Sequence, residues 1–295
     1  MSITVQHCPL CSSTQSLPFD QRTFRGQPVA NRLCRACGLV YQSPRMTDVE
    51  LEAFYAESYR QLYQGSQGPD SKDLAVQRGR ARALLAFARR HIPAVSRHLD
   101  IGCSSGLLLQ QFHQVYSCQP TGIEPGDAYR RYAQEQGLEV FASLPELRAS
   151  NQAPFDLVSL AHVLEHIPAP VEYLEALGAG LLSPGGWLLI EVPNLYAHDS
   201  FEVAHLVAYS PHTLRQMLQK SGFDITGFQE HGQPRSAILP LYLTALARPS
   251  ASPLPGGSQV TPESGVRRKR RLGMLRRRVL TRLTPRRAWL PVAGA

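Results

Sequence analysis

Short apolar segments alternate with amphipathic stretches over most of the chain. The apolar segments are bounded by Gly, Pro and small polar residues, and in the stretches between them apolar residues recur at helical spacing. Strands are predicted at 97–101, 120–124, 138–142, 155–160, 187–192, 222–225 and 238–247, and helices at 48–64, 72–91, 106–116, 127–136, 171–182 and 212–221. This alternation is typical of an α/β fold with a parallel sheet and helices on both faces.

A glycine turn follows the first strand of this pattern. Asp100 stands near the strand end, Gly102 and Gly106 form the turn, and the second strand ends in Glu124. Glycine allows the backbone to approach a ligand closely. An acid roughly 20 residues further on can accept both hydroxyl groups of a ribose. We therefore predict a ribose-containing cofactor at this turn.

The spacing of the glycines argues against a dinucleotide. Ser104 stands where the G-x-G-x-x-G motif requires its second glycine, so the backbone cannot approach a pyrophosphate closely. Asp100 would repel a phosphate but would attract a cation or an amine. S-adenosylmethionine combines a ribose, a sulfonium and an amino group, and it is the cofactor that these residues predict.

On these residues the chain resembles the class I methyltransferases, whose first motif is an acid followed by a glycine-rich turn. The resemblance continues through 155–158, 162–168, 182–186 and 192–194, and it spans about residues 75–247. It implies a Rossmann-like, seven-stranded methyltransferase sheet with helices on both faces and an antiparallel last strand. The cofactor-binding residues predicted from the turn and the resemblance are Asp100, Gly102, Cys103, Gly106, Glu124, Pro125 and His162.

Two other motifs overlap these segments. Residues 102–106 also match G-x-S-x-G, the nucleophile elbow of α/β-hydrolases, but a hydrolase would leave Asp100 and Glu124 unexplained. Residues 162–166 also match the H-x-x-E-H metal motif, which requires a helix that Pro168 and Pro170 would break. We interpret the segment as a loop after the fourth strand that faces the cofactor. For His166, a capping or packing role stays open.

Four of the six cysteines form two C-x-x-C pairs near the start of the chain, with 22 residues between them; they are Cys8, Cys11, Cys34 and Cys37. Two such pairs surround a zinc ion tetrahedrally, and four protein ligands make the metal structural. The segment between the pairs is too small to bury its own core. Metal binding would supply folding free energy on the order of 10–16 kcal/mol. We expect a zinc ribbon at 1–45, before a methyltransferase domain at 46–248, whereas Cys118 packs as a small apolar group.

The methyl acceptor is expected between the fifth strand and the next helix. Residues 204–210 resemble the His-containing stretch of certain sugar C-methyltransferases, in which a Glu stands where this chain has Ala204. His205 is a candidate general base, with a packing role as the alternative, and His162 is the second catalytic candidate. Zinc ribbons precede the catalytic domain in enzymes that resemble sugar and natural-product methyltransferases. We therefore predict O- or C-methylation of a small-molecule or sugar-like acceptor.

Positive charge is concentrated in the tail. Residues 249–295 hold 11 Lys or Arg and one acid, a net charge of +10; because the whole chain carries +8, residues 1–248 carry −2. A Pro/Ser/Gly-rich linker precedes the basic residues at 267–287, and we predict a disordered tail. The apolar residues within it fall at helical spacing. An amphipathic helix that binds an anionic membrane surface or nucleic acid is therefore the alternative.

Two other functions stay open: an RNA methyltransferase whose ribbon recognises RNA, and a non-catalytic cofactor-binding protein. Four arginines in the ribbon keep the RNA hypothesis in view, namely Arg22, Arg25, Arg32 and Arg35. No apolar run reaches the roughly 18 residues of a membrane span. The first residues lack the basic and apolar regions of a secretory signal, so we expect a cytoplasmic protein.

Overall fold

A central mixed sheet and a smaller N-terminal sheet organise the protein, in a computed structural model that describes residues 2–54, 68–150, 152, 154–251 and 260–291. In chain order the strands are β1 (Ser2–Ile3), β2 (Ser16–Phe24), β3 (Gln27–Cys34), β4 (Val40–Gln42), β5 (Arg45–Met46), β6 (Arg97–Ile101), β7 (Gln119–Ile123), β8 (Glu139–Phe141), β9 (Phe155–Ala161), β10 (Leu182–Pro193), β11 (Val207–Ala208), β12 (Phe223–His231) and β13 (Tyr242–Pro249). The helices are α1 (Asp48–Ala53), α2 (Ser71–Ala88), α3 (Leu107–Tyr116), α4 (Asp127–Glu135), α5 (Leu144–Ala149), α6 (Pro170–Gly180), α7 (Pro211–Lys220), α8 (Val266–Leu283) and α9 (Pro285–Ala288).

The central sheet has the strand order β12-β13-β10-β9-β6-β7-β8. Strands β6 to β10 pair in parallel, and β13 runs antiparallel to both of its neighbours. The predicted α/β sheet with an antiparallel last strand is therefore confirmed. The strand order reverses between β6 and β9, and ligands of open α/β sheets bind beyond the carboxyl ends of the strands at such a point.

Alternating side chains of the strands pack on the two helical layers. Leu157 and Leu189 belong to a buried cluster with residues of α2 and α3. Val158 and Ile190, one position further along β9 and β10, belong to the cluster on the other face with α6 and α7. This alternation explains why the strands are almost continuously apolar, as is usual for a sheet buried on both faces.

The N-terminal ribbon shares both a sheet and a core with the larger domain. Its hairpin β2–β3 pairs with β4, and β4 pairs in turn with β11, which lies between β10 and α7. Leu39 and Tyr41 of the ribbon are buried in the same cluster as Leu206 and Tyr209. The ribbon is therefore stabilised by burial against the larger domain, a contribution that the sequence pattern did not predict.

The basic tail is helical, which corrects the prediction of disorder for residues 266–288. Arg270 is buried and donates hydrogen bonds to the backbone carbonyls of Leu195 and His198. Gly273 lies so close to the carbonyl of Tyr196 that an added Cβ would overlap it. Carbonyl oxygens thus partly compensate the positive charge of Arg270, the kind of charge from which disorder was predicted. The sequence alone does not show where such oxygens lie.

The helix predicted over 48–64 is described only to residue 54, so the rest of that prediction lies outside the described residues. α5 and β11 were not predicted. None of the helices in the described ranges is long and apolar enough to cross a membrane.

Candidate functional site

A cavity of about 560 Å³ lies beyond the carboxyl ends of β6, β7 and β9. Six of the residues predicted to bind the cofactor line it; they are Asp100, Gly102, Cys103, Glu124, Pro125 and His162. Gly106 does not line the cavity. It lies immediately before α3 and has a left-handed backbone, with φ of 77°. His166 and His205 also line this cavity, so one space joins the predicted cofactor and acceptor residues.

The glycine turn is tied to the acid that follows the second strand. The backbone N–H groups of Gly102 and Cys103 donate to the Ile123 carbonyl, at 2.8 and 3.0 Å. Glu124 accepts from the Ser104 N–H through Oε2 and from the Gly126 N–H through Oε1, both at 2.9 Å. Two backbone donors therefore hold this buried carboxyl group at the cavity wall.

Asp100 is buried beneath the turn. Ser159 Oγ donates to Asp100 Oδ1 at 2.6 Å, and His98 Nε2 lies 2.8 Å from the same hydroxyl. Burial, reinforced by the charge of Glu124, raises the pKa of Asp100 to about 7 despite that hydrogen bond. Because its hydrogen-bond donor is a neutral hydroxyl, a cationic ligand group in the cavity would stabilise the ionised carboxylate.

Helix α2 contributes residues to the site that the sequence analysis missed. Gln77 and Arg80 line the cavity, and Gln77 Oε1 accepts from Ser105 Oγ at 2.5 Å. Asp73 accepts from the Tyr129 hydroxyl at 2.7 Å, which links α2 to α4. Periodicity predicted the helix, but no local signal indicates that its first turns close over the glycine turn.

His162 lies between two buried carboxylates. It has a left-handed backbone, with φ of 59°. Its Nδ1 is 3.3 Å from Glu165 Oε1, and its Nε2 is 3.2 Å from Glu191 Oε1. Arg80 Nε and His231 Nε2 also contact Glu191, at 3.0 and 3.1 Å. Burial acts to raise the pKa of Glu191, but the hydrogen bonds from His162 and His231 and the charge of Arg80 hold that pKa well below its usual value.

His166 and His205 form an edge-to-face pair, with ring centroids 4.8 Å apart. The Nδ1 atoms lie 2.8 Å from carbonyl oxygens, of Ala204 for His166 and of Ser200 for His205. A carbonyl only accepts, so Nδ1 carries the proton in both rings and Nε2 carries the lone pair. Burial lowers the pKa of His166 to about 4 and also lowers the pKa of His205, so both rings are neutral at pH 7.

Carboxylates surround His205 even though Ala204 precedes it in the sequence. Glu202 Oε2 lies 3.8 Å from His205 Nε2. Single ligand-type atoms of Glu165, His166 and His205 all lie within 4.8 Å of one another, a spacing at which such groups could share a proton or a metal ion. Burial acts to raise the pKa of Glu165, but the hydrogen bond with His162 and the nearby imidazoles lower that pKa to about 2.

The four ribbon cysteines converge. Cys8 Sγ and Cys37 Sγ are 3.6 Å apart, as are Cys11 Sγ and Cys34 Sγ, and all four sulfurs lie within 4.8 Å of one another. Zn–S bonds of about 2.3 Å place the sulfurs of a tetrahedral site about 3.8 Å apart, so the cluster fits zinc. Cys118 is buried in a separate apolar cluster, in agreement with its predicted packing role.

Comparison with known protein families accounts for this arrangement. Residues 74–227, just over half of the chain, match a family described as a methyltransferase domain. The chain belongs to this methyltransferase family. The match runs from α2 into β12 and includes the glycine turn, Glu124, the His162–His166 segment and His205.

The curated relatives include ubiquinone biosynthesis O-methyltransferases. That of Nitrosococcus oceani is 33% identical over 118 residues, which cover 37% of this chain and 49% of the relative. That of Bordetella pertussis is 33% identical over 105 residues, which cover 33% and 43%. The matched stretch therefore spans less than half the length of these relatives.

A solved structure shares the fold. The 1,6-didemethyltoxoflavin-N1-methyltransferase of Burkholderia thailandensis aligns with a TM-score of 0.54 and 18% identity, over 78% of this chain and 99% of that protein. Together with the family match, this likeness confirms the predicted class I methyltransferase fold.

Replacing Glu191 by Gln in this protein should lower the free energy of unfolding by about 3 kcal/mol at pH 7, because Arg80 would lose its buried counter-charge. The pKa of Glu191 is lower in the folded than in the unfolded protein, so its stabilisation is present above about pH 4.5 and is lost as the pH falls. Urea unfolding of both proteins should show the difference shrinking below about pH 4.5, by up to about 1.4 kcal/mol per pH unit.

Glu135→Gln, which changes an exposed carboxylate on α4, is the matched control and should leave stability nearly unchanged. Equal stability of the wild type and Glu191→Gln at pH 7 would contradict the inferred charge network.

Proposed function

We propose that this protein transfers a methyl group from S-adenosylmethionine to a hydroxyl group of a small-molecule acceptor. One observation carries the proposal: Asp100, Glu124 and His205 line a single cavity. The names of the curated relatives, which are O-methyltransferases, support oxygen as the methylated atom.

The cofactor end of the cavity fits the chemical groups of S-adenosylmethionine. We assign Glu124 to the ribose hydroxyls and Asp100 to the amino and sulfonium groups, which would compensate its buried charge; both residues line the cavity. A side chain does not fit at Gly102 in this turn, since a Cβ there would lie 2.6 Å from Val163 Cγ2. When bound, S-adenosylmethionine supplies a methyl group activated by the sulfonium.

We assign His205 as the general base. The Ser200 carbonyl orients the ring through Nδ1, so that Nε2 can take the proton of the acceptor hydroxyl. The hydroxyl oxygen would then bond to the methyl carbon as the carbon–sulfur bond breaks and S-adenosylhomocysteine leaves. Glu202 and Glu165 then stabilise the imidazolium that forms. These two carboxylates would take the role of the Glu that certain sugar C-methyltransferases have where this chain has Ala204.

His162 is assigned a positioning role. Each of its ring nitrogens faces a buried carboxylate, of Glu165 on one side and Glu191 on the other, so neither is placed to take a proton from an acceptor. The imidazole instead fixes both carboxylates at the cavity wall. The same contacts keep Glu165 ionised beside His205.

Structural zinc in the four-cysteine cluster completes the proposal. β4 of the ribbon pairs with β11, and the Gln42 N–H donates to the Leu206 carbonyl at 2.8 Å. Residue 206 directly follows His205. A metal that holds the ribbon would therefore also hold the backbone beside the general base.

To test the function, the purified protein is incubated with methyl-labelled S-adenosylmethionine and either the small-molecule or the RNA fraction of a cell extract. Label should enter small molecules, and hydriodic acid should release it as methyl iodide, as expected for a methyl ether. His205→Ala should slow this labelling by roughly 100-fold or more, the usual contribution of a general base, with unchanged affinity for S-adenosylhomocysteine.

His166→Asn is the matched comparison for His205→Ala, since it changes the paired imidazole but keeps the assigned base. It should reduce the rate less. Label in RNA alone would refute the proposed acceptor class, and full activity of His205→Ala would refute the base.

Glu124→Gln should weaken binding of S-adenosylhomocysteine by about 10- to 100-fold, the value of a hydrogen bond to a charged group. Titration calorimetry measures the affinity, and far-UV circular dichroism confirms that the variant is folded. Asp127→Asn, three residues on and outside the cavity lining, is the control and should bind normally. Wild-type affinity of folded Glu124→Gln would remove the ribose assignment.

Metal analysis of the purified protein should find one zinc ion per chain. Cys34→Ser should lose the metal, melt at a lower temperature and lose methyltransferase activity, since β4 and β11 would no longer be held. Cys118→Ala should keep the zinc, because that side chain lies in a different cluster. A full zinc content in Cys34→Ser, or no zinc in the wild type, would contradict the assignment.

A further inference from the structure

Helix α8 presents two different faces. One face packs on the protein through Val266, Arg270 and Leu280. At 100° per residue, the opposite face carries Leu272, Leu275 and Val279. These three side chains are 56%, 56% and 43% exposed, so the helix displays an apolar stripe away from its docked side.

The stripe is unusual for this protein. In the described residues, nine large hydrophobic side chains are exposed, and five of them lie between residues 272 and 289. Besides the three named above they are Leu283, 74% exposed, and Trp289. Scattered exposed apolar residues need no explanation, but a contiguous group of them indicates an interaction surface.

Arginines flank the stripe on both sides. Helical geometry places Arg271 and Arg278 along one edge and Arg276 along the other, with Arg268 within the stripe, and all four are exposed. The chain from residue 249 onward carries +10, whereas residues 1–248 carry −2. A surface that accepts both the leucines and the arginines must be apolar inside and anionic outside.

We propose that the outer face of α8 binds the surface of an anionic lipid bilayer. An amphipathic helix in this orientation buries its apolar stripe at the headgroup boundary while its arginines contact the lipid phosphates. Nucleic acid would satisfy the arginines but would leave Leu272, Leu275 and Leu283 exposed, because those side chains offer no aromatic ring for stacking. The apolar stripe therefore favours the bilayer.

The docked face links this surface to the cavity. Arg270 and Arg277 donate to the carbonyls of residues 195, 197 and 198, and the His198 side chain lines the cavity. The membrane-binding helix would thus rest on the segment that forms part of the acceptor wall. This placement holds whether or not the proposed methyl acceptor is correct.

The test is co-sedimentation of the full chain with lipid vesicles. Vesicles of phosphatidylcholine mixed with phosphatidylglycerol should bind the protein, and vesicles of phosphatidylcholine alone should bind it weakly. Combined Leu272→Ser, Leu275→Ser and Val279→Ser substitutions should reduce binding by at least about tenfold, through loss of apolar burial. Each of Arg271→Gln and Arg276→Gln should reduce it by roughly fivefold.

Val115→Ser is the matched control. It removes an apolar side chain of similar exposure, 43%, from α3 and should leave vesicle binding unchanged. The serine substitutions lie on the exposed face, so melting temperatures should match the wild type. Equal binding of the triple-serine variant to mixed vesicles, or binding to single-stranded RNA with none to vesicles, would overturn the proposal.

Discussion

The burial of negative charge at one edge of a parallel sheet is the constraint on which the site depends. Asp100, Glu124, Glu165 and Glu191 are all buried beyond or near the ends of neighbouring strands. A buried carboxylate without compensation costs several kcal/mol. Glu124 is compensated by backbone N–H groups, and Glu191 by Arg80 and two imidazoles. Among the residues that the structure describes, Asp100 accepts a hydrogen bond only from the neutral Ser159 hydroxyl, so a cation in the cavity would compensate its negative charge.

Two distant parts of the chain position the proposed acceptor wall. The ribbon contributes β4, which pairs with the strand that follows His205. The tail contributes Glu263, whose N–H donates to the Cys37 carbonyl and whose carboxylate accepts from Ser210 Oγ at 2.5 Å and from the Tyr196 hydroxyl at 2.7 Å. The cysteine cluster, the start of α7 and the segment that carries Tyr196 are thus connected through one residue, Glu263.

The cofactor half of the site was predictable because its signals are local. The Asp100–Gly106 turn and Glu124 lie within one strand-turn-helix-strand unit, and their order in the sequence already implies their arrangement. The acceptor half was predictable only at His205. The carboxylate partners of His205 are Glu165, in the segment after β9, and Glu202, in an irregular segment. Because Ala204 stands where certain sugar C-methyltransferases have a Glu, the sequence did not indicate that His205 has a carboxylate partner. For the tail, the sequence left disorder and an amphipathic helix open, and the structure shows the helix. Its docking could not be predicted, because the carbonyl oxygens that accept from Arg270 and Arg277 leave no trace in composition.

The sequence by itself determined the sheet, the strand that carries Asp100, the glycine turn and the two C-x-x-C pairs that form one cluster. Periodicity, turn chemistry and ligand spacing are signals that act over short distances along the chain. Tertiary structure alone decided which groups became neighbours. It placed Glu165 and Glu202 beside His205, Glu191 next to His162, and α8 against the segment that contains Ala197. Those contacts join residues from separate elements, and their energies arise from burial and charge compensation, which exist only once the chain has folded.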